Sequence, residues 1–292
     1  MNTKSCARYF TIKGNRKVRL TKFSAKLASS SLKGHQNEKL LDNNRAALEE
    51  YQTLLYAGHE RAMLVIFQGM DTAGKDGAIK HVMSGVNPQG CSVVSFKAPS
   101  SNELAHDFLW RGNIALPVRG QIGIFNRSYY EEVLVPRVHP EVLEKEKIPN
   151  FKDLGHSFWK FRYRDIVNYE KYLYRQGYEV IKIFIHISKD EQKRRLLERF
   201  RDPKKVWKIS EGDVRERSFW KEYQVAYEEC IAHTASKSSP WYIVPGDSKD
   251  AARLGISQIL VDRFSKMQLD YPKLKKEEKK KLQALKSLLA KD

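Results

Sequence analysis

Cysteine is scarce in this chain of 292 residues, which contains only Cys6, Cys91 and Cys230. An odd number of widely spaced cysteines provides neither a disulfide framework nor a C-x-x-C metal knuckle, and it is typical of a reducing compartment. The sequence also lacks an apolar run of the roughly 18 residues that a membrane span needs, and no H-E-x-x-H motif occurs among its eight histidines. We therefore expect a globular protein of the cytoplasm, with no membrane partner and no transition metal bound by the protein.

Acidic residues are few relative to basic ones. The chain has 53 Lys and Arg residues against 35 Asp and Glu residues, which gives a formal net charge of +18. Such an excess predicts a polyanionic partner, which could be a nucleic acid, an anionic membrane surface or a polymeric phosphate. The alternative, that the charge serves solubility alone, is less favoured because a charge of this size also repels itself in the folded state.

Both ends of the chain are rich in basic residues. No acidic residue precedes Glu38, whereas nine Lys and Arg residues and many serines do. We interpret residues 1–36 as a basic arm that meets the polyanion, in which Lys17–Leu20 alternates like a short edge segment. A mitochondrial transit peptide is the alternative interpretation. Residues 273–292 favour a charged C-terminal helix with a thin apolar stripe.

Between these ends, residues 37–272 alternate strand-like and helix-like segments. Five largely apolar runs predict strands, namely Ala62–Phe67, Cys91–Phe96, Ile122–Phe125, Val180–Ile187 and Trp241–Val244. Helical periodicity predicts helices over Asn37–Gly58, Ala78–Ser84, Asn102–Arg111, Phe158–Arg175, Lys189–Arg199 and Ala251–Met267. This alternation predicts an α/β domain with a central five-stranded parallel sheet and helices on both of its faces.

The segment at about residues 200–227 has no strand pattern and is dense in charge, so we interpret it as a helical lid. Just before it, Arg195 and Arg199 lie four residues apart and share a helix face. We expect these arginines, with Lys205 and Lys208, to contact phosphate, and a solvated run of charge is the alternative. Closure of such a lid would exclude water from a phosphoryl transfer.

A glycine-rich loop follows the first predicted strand of the domain. Its spacing, G-x4-G-K, is that of a phosphate-binding loop, in which backbone N–H groups and a helix N-terminus bind phosphate oxygens and the lysine reaches the outer phosphates. The predicted phosphate-binding residues are Gly69, Thr72, Ala73, Gly74, Lys75, Asp76 and Gly77. A carboxylate within such a loop indicates an intervening cation. We therefore expect Asp71 to bind Mg²⁺, directly or through water, with Asp76 as a weaker candidate.

More polar residues follow the third predicted strand of the domain. Because ligands bind beyond the carboxyl ends of parallel strands, we expect Asn126, Arg127 and Glu131 to face the loop. A carboxylate is usual near position 126 in P-loop enzymes. Here the Asn126 carbonyl can bind Mg²⁺ while Glu131 supplies the charge, although Asn126 could instead cap the strand. Arg127 can stabilise charge on a transferring phosphoryl group.

Four longer motifs extend this pattern along the chain. They are Q-G-M-D-T-A-G-K-D-G-A-I-K-H-V-M-S-G-V-N-P-Q-G (Gln68–Gly90), H-D-F-L-W-R (His106–Arg111), I-F-N-R-S-Y-Y-E-E-V-L-V-P-R-V-H-P-E (Ile124–Glu141) and W-K-I-S-E-G-D-V-R-E-R (Trp207–Arg217). These motifs resemble polyphosphate kinase family 2, and most closely its single-domain class III members, the polyphosphate:AMP/ADP phosphotransferases. The resemblance runs from about Phe10 to about Leu274. Ile12–Lys22 is similar to the family's own basic arm, which favours an arm over a transit peptide.

The resemblance implies a P-loop kinase fold and a reversible reaction. In that reaction Mg²⁺ helps to move the terminal phosphoryl group of inorganic polyphosphate to AMP and ADP, giving ADP and ATP. The combination of Asn126 with Glu131 is similar to class III, which accepts both nucleotides. Thr72, where the family often has Ala, is a mild departure. A homo-oligomer, either a dimer or a tetramer, is expected from the resemblance alone.

The residue patterns and the resemblance together give the expected site residues, and the resemblance itself matches the catalytic set to motif positions of the family. The expected catalytic residues are Asp71, Lys75, Asn126, Arg127 and Arg199. The expected Mg²⁺ ligands are Asp71, Asn126 and Glu131. Besides the loop, the expected phosphate-binding residues are Arg111, Arg127, Arg195, Lys205 and Lys208, and the expected nucleotide-binding residues are Glu131 and Arg137.

Two other functions remain open from the residues alone. An ATP-dependent kinase of a nucleotide or another small molecule would use the same loop and lid. A non-catalytic polyanion-binding protein would use the same basic surface. Residues 151–174 combine aromatic and basic side chains that could stack on bases, but their helical spacing is more typical of core packing, so we expect no nucleic-acid partner.

Overall fold

The computed structural model describes residues 11–14, 17–26, 34–149 and 155–290. The strands are β1 (Thr11–Ile12), β2 (Ala62–Gln68), β3 (Cys91–Ser95), β4 (Ile122–Asn126), β5 (Tyr178–His186) and β6 (Trp241–Pro245). The α-helices are α1 (Gly34–Gly58), α2 (Lys75–Val82), α3 (Ser101–Leu104), α4 (Trp110–Ile114), α5 (Val135–Val138), α6 (Val142–Lys145), α7 (His156–Arg175), α8 (Lys189–Arg201), α9 (Glu211–Ser218), α10 (Trp220–Thr234), α11 (Lys249–Ser265) and α12 (Lys276–Leu289). Short 3₁₀ turns cover Leu20–Lys22, Pro88–Gly90, Tyr129–Val133 and Val206–Lys208. Residues 1–10, which include Cys6, and residues 15–16, 27–33, 150–154 and 291–292 lie outside the described residues.

The sheet has six strands in the order β1-β6-β5-β2-β4-β3. Strands β2 to β6 are parallel, but β1 pairs antiparallel with β6 through Thr11 and Ile12. The prediction of a five-stranded parallel sheet is therefore wrong by one strand, because two residues are too few to show an alternating pattern. The expected edge segment at Lys17–Leu20 forms no strand and instead buries Val18 and Leu20 against the core.

Strand β2 is the centre of the sheet. All seven of its residues are buried, and it pairs in parallel with β4 on one side and β5 on the other. A strand with neighbours on both sides and helices on both faces exposes almost no side chain to water, which favours apolar residues and explains the continuous run A-M-L-V-I-F. Because β2, β4 and β5 are parallel, their carboxyl ends lie at the same edge of the sheet, where Gly69, Arg127 and Ile187 follow them.

The helices cover both faces of the sheet. One group consists of α1, α2 and α11, in which α11 packs on α1, on α2 and on β6. The other group consists of α7, which packs on β5, and α10, which packs on α5 and α7. The helices predicted over Asn37–Gly58, Phe158–Arg175, Lys189–Arg199 and Ala251–Met267 therefore form, with ends that differ by a few residues.

The single helix predicted over Asn102–Arg111 is wrong. The structure has two short helices there, α3 and α4, separated by a turn. The Asp107 side chain accepts a hydrogen bond from the backbone N–H of Leu109 (3.0 Å). Such a local side-chain bond competes with the helical backbone bond, which explains the interruption.

A buried polar cluster fixes the chain just after β4. Lys182 on β5 donates to Glu170 on α7 (2.6 Å), to the Tyr130 hydroxyl (3.1 Å) and to the carbonyl oxygen of Thr234 (2.8 Å). The hydroxyls of Tyr129 and Tyr130 both donate to Glu170, at 2.9 and 2.7 Å. Lys182 and Glu170 are at most 1% exposed, so each charge depends on the other. The cluster anchors both tyrosines, and with them the backbone on either side.

We expect Glu170→Leu to lower the free energy of unfolding by about 3–5 kcal/mol, because it leaves Lys182 without its carboxylate in the core. The double variant Glu170→Leu/Lys182→Met should recover at least half of that loss, since no charge is then buried. Urea denaturation measures both. As a control, Asp262→Leu breaks a pair with the exposed Lys266 and should cost less than about 1 kcal/mol. A double variant no more stable than the single one would show that the lysine charge is not what destabilises it.

Candidate active site

Two glycines shape the loop between β2 and α2. At Gly69 (φ 156°) an added Cβ would lie 2.8 Å from the carbonyl oxygen of Ile185, closer than atoms can approach. Gly74 has φ 95°, a left-handed conformation that strains residues with a side chain, and α2 begins directly after it. Lys75 is consequently the first residue of α2, so the lysine and the helix N-terminus act at the same point.

Lys75 lies inside this loop and is only 8% exposed. Its Nζ donates to the carbonyl oxygen of Gly69 at 2.8 Å and to that of Met70 at 3.4 Å. Burial, and then the charge of Arg127, lower the pKa of Lys75 to about 8, while Asp71 and other nearby carboxylates oppose the shift. The lysine is therefore charged at neutral pH but loses its proton earlier than an exposed lysine does.

Arg127 connects the loop to the segment that follows β4. It adopts a left-handed backbone conformation (φ 64°), and its N–H donates to the carbonyl oxygen of Phe67 (2.9 Å). Its guanidinium lies 2.8 Å from an Asp71 oxygen and 3.5 Å from a Glu131 oxygen. Glu131 contributes most to raising the pKa of Arg127, so this arginine stays charged. The structure thus brings Asp71, Arg127 and Glu131 together around Lys75.

Among the three expected Mg²⁺ ligands, Asn126 has a different hydrogen-bond partner from Asp71 and Glu131. Its side-chain N–H donates to Asp76 at 2.7 Å, whereas Asp71 and Glu131 bind Arg127. Asp76 is on the first turn of α2 with its carboxylate largely exposed. Within the residues that the structure describes, no group of three or more His, Cys, Asp or Glu side chains is arranged to hold a metal ion.

Arg195 lies behind the loop. Its guanidinium donates to the carbonyl oxygens of Thr72 and Ala73, both at 2.9 Å, and to that of Gly246 at 2.5 Å, while its Nε binds Glu191 at 2.6 Å. The side chain is buried, with its donors engaged by these groups. The expected contact of Arg195 with phosphate stays a prediction, and helix spacing does not reveal which side of the loop the helix face meets. In the structure, Arg195 holds the loop backbone through the carbonyls of Thr72 and Ala73.

The predicted phosphate-binding cations within the 200–227 segment and directly before it have separate environments. Arg199 is close to the carbonyl oxygen of Lys208 (3.4 Å) and to Asp213 (4.0 Å). Lys205 binds Glu198 and Asp202, which leaves its charge largely compensated. Lys208 lies 4.0 Å from Asp76 at the start of α2, so it is the lysine of this segment that approaches the phosphate-binding loop.

The remaining predicted arginines are both paired. Arg111 is buried against Glu132 and donates to the carbonyl oxygen of Lys97, and it lines the cavity next to the loop. Arg137 binds Glu229 and lies 5.0 Å above the ring of Trp159. Arg137 is not among the residues that line the cavity.

A cavity of about 340 Å³ opens beside the loop. Its polar side includes Asp71, Arg127 and Glu131, and its apolar wall consists of Leu104, Leu134, Val135, Pro136 and Val142. A space with a charged end and an apolar wall suits a small phosphorylated ligand with a hydrophobic base. The buried hydroxyl of Thr72, in the loop itself, has no hydrogen-bond partner among the described residues.

Sequence reasoning missed several side chains that line the cavity. They are His139, Gln192, Glu216, Tyr223 and Tyr227. Tyr223 and Tyr227 are four residues apart on α10, so helical periodicity could have placed them on one face. The other three come from separate elements, and no local signal indicates that these elements meet at the loop.

Comparisons with known proteins agree with this geometry. The sequence model of the family described as polyphosphate kinase 2 matches residues 31–272. An ADP-polyphosphate phosphotransferase of Rhodopseudomonas palustris is 47% identical over 282 residues, covering 97% of this chain and 98% of that protein. An AMP/ADP-polyphosphate phosphotransferase of Meiothermus ruber is 43% identical over 225 residues, covering 77% of this chain and 80% of that protein.

A solved structure shows the same fold. The crystal structure of polyphosphate kinase 2 from Arthrobacter aurescens TC1 superposes with a TM-score of 0.87 and 34% sequence identity, covering 99% of this chain and 98% of that one. The phosphate-binding loop, the charged residues at its mouth and these matches together lead to one conclusion. The chain belongs to the polyphosphate kinase 2 family.

Proposed function

We propose that this protein transfers the terminal phosphoryl group of inorganic polyphosphate to AMP and ADP, giving ADP and ATP, and catalyses the reverse reaction. The observation that carries the proposal is the loop around Lys75, with Asp71, Arg127 and Glu131 at the mouth of an apolar-walled cavity. The names of both relatives include ADP, and one also includes AMP. Both acceptors therefore belong in the test.

The chain's own groups contribute to positioning and stabilising a transferring phosphoryl group. Anions bind favourably to the backbone N–H groups of the loop and to the N-terminus of α2, which includes Asp76 and Gly77. Lys75 adds a positive charge inside the loop, and Arg127 adds one at its mouth, where charge develops during transfer. A phosphate acceptor is already ionised, so the site needs no general base to activate it.

Family members are phosphotransferases, which generally use a divalent metal, and we propose Mg²⁺ here. The carboxylates of Asp71 and Glu131 fit this ion, because they provide oxygen ligands at the loop mouth, and the Asn126 carbonyl is a third candidate. Two carboxylates do not complete an octahedral shell, so phosphate oxygens and water would supply the rest. When bound, Mg²⁺ would neutralise charge on adjoining phosphates.

The basic surface fits the proposed donor. Polyphosphate carries about one negative charge per phosphate unit, and a net charge of +18 exceeds what one nucleotide requires. We propose that residues 200–227 act as the lid and that Arg199, Lys205 and Lys208 contact phosphate there. We also propose residues 1–36 as a basic arm, 37–272 as the kinase domain and 273–292 as a charged C-terminal helix.

The location, the oligomeric state and the absence of some partners are also proposals. Among the described residues, no helix has both the length and the apolar character that crossing a bilayer requires. We propose a cytoplasmic homo-oligomer, a dimer or a tetramer, that has no nucleic-acid or membrane partner.

The direct test is nucleotide production with long-chain polyphosphate as the only phosphoryl donor, in the presence of Mg²⁺. From AMP we expect both ADP and ATP, and Lys75→Ala should lower kcat by at least about 100-fold because a charge-stabilising group is lost. Lys80→Ala, on the same helix but exposed, is the matched control and should keep its activity. Wild-type rates in a folded Lys75→Ala protein would contradict the proposal. Activity with ATP but not polyphosphate would instead indicate an ATP-dependent kinase, and polyanion binding without turnover would indicate a binding protein.

The lowered pKa of Lys75 predicts the alkaline side of the pH profile. Below about pH 8 its ammonium group is charged and attracts phosphate, and above it the group is neutral. We therefore expect kcat/KM for the phosphoryl donor to fall as the pH rises through about 8. The second ionisation of a nucleotide phosphate occurs near about pH 6, so the substrate does not cause this decline. A kcat/KM that stays constant up to pH values of about 10, near the ordinary lysine pKa, would contradict it.

A further inference from the structure

Gln192 on α8 lies between the phosphate-binding loop and α9. Its side chain is buried, with the residue 1% exposed. The Nε2 atom donates to the backbone carbonyl oxygen of Asp71 (3.2 Å), and the Oε1 atom accepts from Nη1 of Arg217 (2.8 Å). The orientation of the amide follows from its partners, because a carbonyl only accepts and a guanidinium only donates. One amide group therefore joins the loop to α9.

Asp71 is held on both its side chain and its backbone. Its carboxylate binds Arg127 and its carbonyl binds Gln192. The next two loop carbonyls, those of Thr72 and Ala73, are bound by Arg195, which is also bound to the chain after β6. Asp71 differs from them in that the group holding its carbonyl is bound in turn by α9.

The end of α9 also contacts side chains that line the cavity. Glu216, next to Arg217, lies 2.8 Å from Nε2 of His139 and accepts a hydrogen bond from the hydroxyl of Tyr223 at the same distance. Arg217 itself also donates to the carbonyl oxygen of Lys189 (2.8 Å). Glu216 thus contacts two residues that line the cavity, and the neighbouring Arg217 connects α9 to the loop through Gln192.

We propose that Gln192 is a positioning residue that couples the placement of α9 to the orientation of Asp71, and through Asp71 to Arg127. When α9 is seated over the cavity, Arg217 holds the Gln192 amide and the amide holds the Asp71 backbone. When α9 moves away, the carbonyl loses an oriented donor and the Asp71–Arg127 pair loses its alignment. Its effect on catalysis rests on the proposed phosphoryl transfer, but the coupling itself does not.

The coupling predicts a defect in turnover rather than in nucleotide binding. Gln192→Glu keeps the acceptor for Arg217 but places a carboxylate oxygen against the Asp71 carbonyl. We expect it to lower kcat about 10- to 100-fold, because a misplacement of about 1 Å in an active site costs rates of that order. The KM for ADP should change by less than about threefold, since both polar atoms of the Gln192 amide are engaged by protein groups rather than by the nucleotide. Gln258→Glu, another buried glutamine, on α11, is the matched control and should keep wild-type kcat.

A double-variant cycle distinguishes coupling from simple damage. Gln192→Met and Arg217→Met should each slow turnover, and the double variant should be no slower than the slower single variant within about threefold, because both break one connection. The proposal would be overturned if the fold-losses in kcat of the two single variants multiplied in the double variant. An unchanged kcat in Gln192→Glu would also overturn it. Thermal unfolding of each variant shows that the compared proteins are folded.

Amide hydrogen exchange tests the coupling without any assay of activity. Arg217→Met should speed exchange in residues 69–76 in the wild-type background, and it should have no further effect in the Gln192→Met background. If the wild-type protein produced no ATP from polyphosphate, the proposed function would fail, and the exchange experiment would still decide the coupling. Exchange in this loop that is insensitive to Arg217→Met would overturn the inference.

Discussion

The conformation of the phosphate-binding loop depends on donors that satisfy its outward carbonyl groups. The loop carbonyls of Thr72 and Ala73 accept from Arg195, and that of Asp71 accepts from Gln192. Those of Gly69 and Met70 accept from Lys75, with a backbone bond from Ala73 added at Met70. Buried carbonyls without donors would favour another conformation. Because these bonds occupy the carbonyls, the loop can present its N–H groups to phosphate.

The arrangement also accounts for the placement of charge. Arg195 is a buried positive charge directly behind the loop, and Lys75 and Arg127 are positive charges within it and at its mouth. Asp71 and Glu131 lie against Arg127 and limit the repulsion between these cations. A phosphate or a metal–phosphate group entering the site would meet a preorganised field and would not have to create one.

The sequence predicts the parts of the protein that depend on local pattern. The apolar β2, the G-x4-G-K spacing and the polar residues after β4 are adjacent in sequence to the elements that position them. The two-residue strand β1 is too short to leave a pattern, and the interruption at Asp107 depends on one side-chain bond. Gln192 meets Asp71 across 121 positions of sequence, so only the fold reveals that contact. Helix spacing predicts that Arg195 and Arg199 share a face of α8, but it does not show that Arg195 lies behind the loop.

A label-transfer experiment follows the transferred phosphoryl group directly. Polyphosphate that carries isotope in its terminal phosphoryl group would be incubated with ADP, Mg²⁺ and the protein, and the position of the label in the products would be determined. The account predicts that the label appears in the γ-phosphate of ATP, with little in free inorganic phosphate. Label that appears mainly in inorganic phosphate, or ATP that forms without it, would contradict direct transfer at this site.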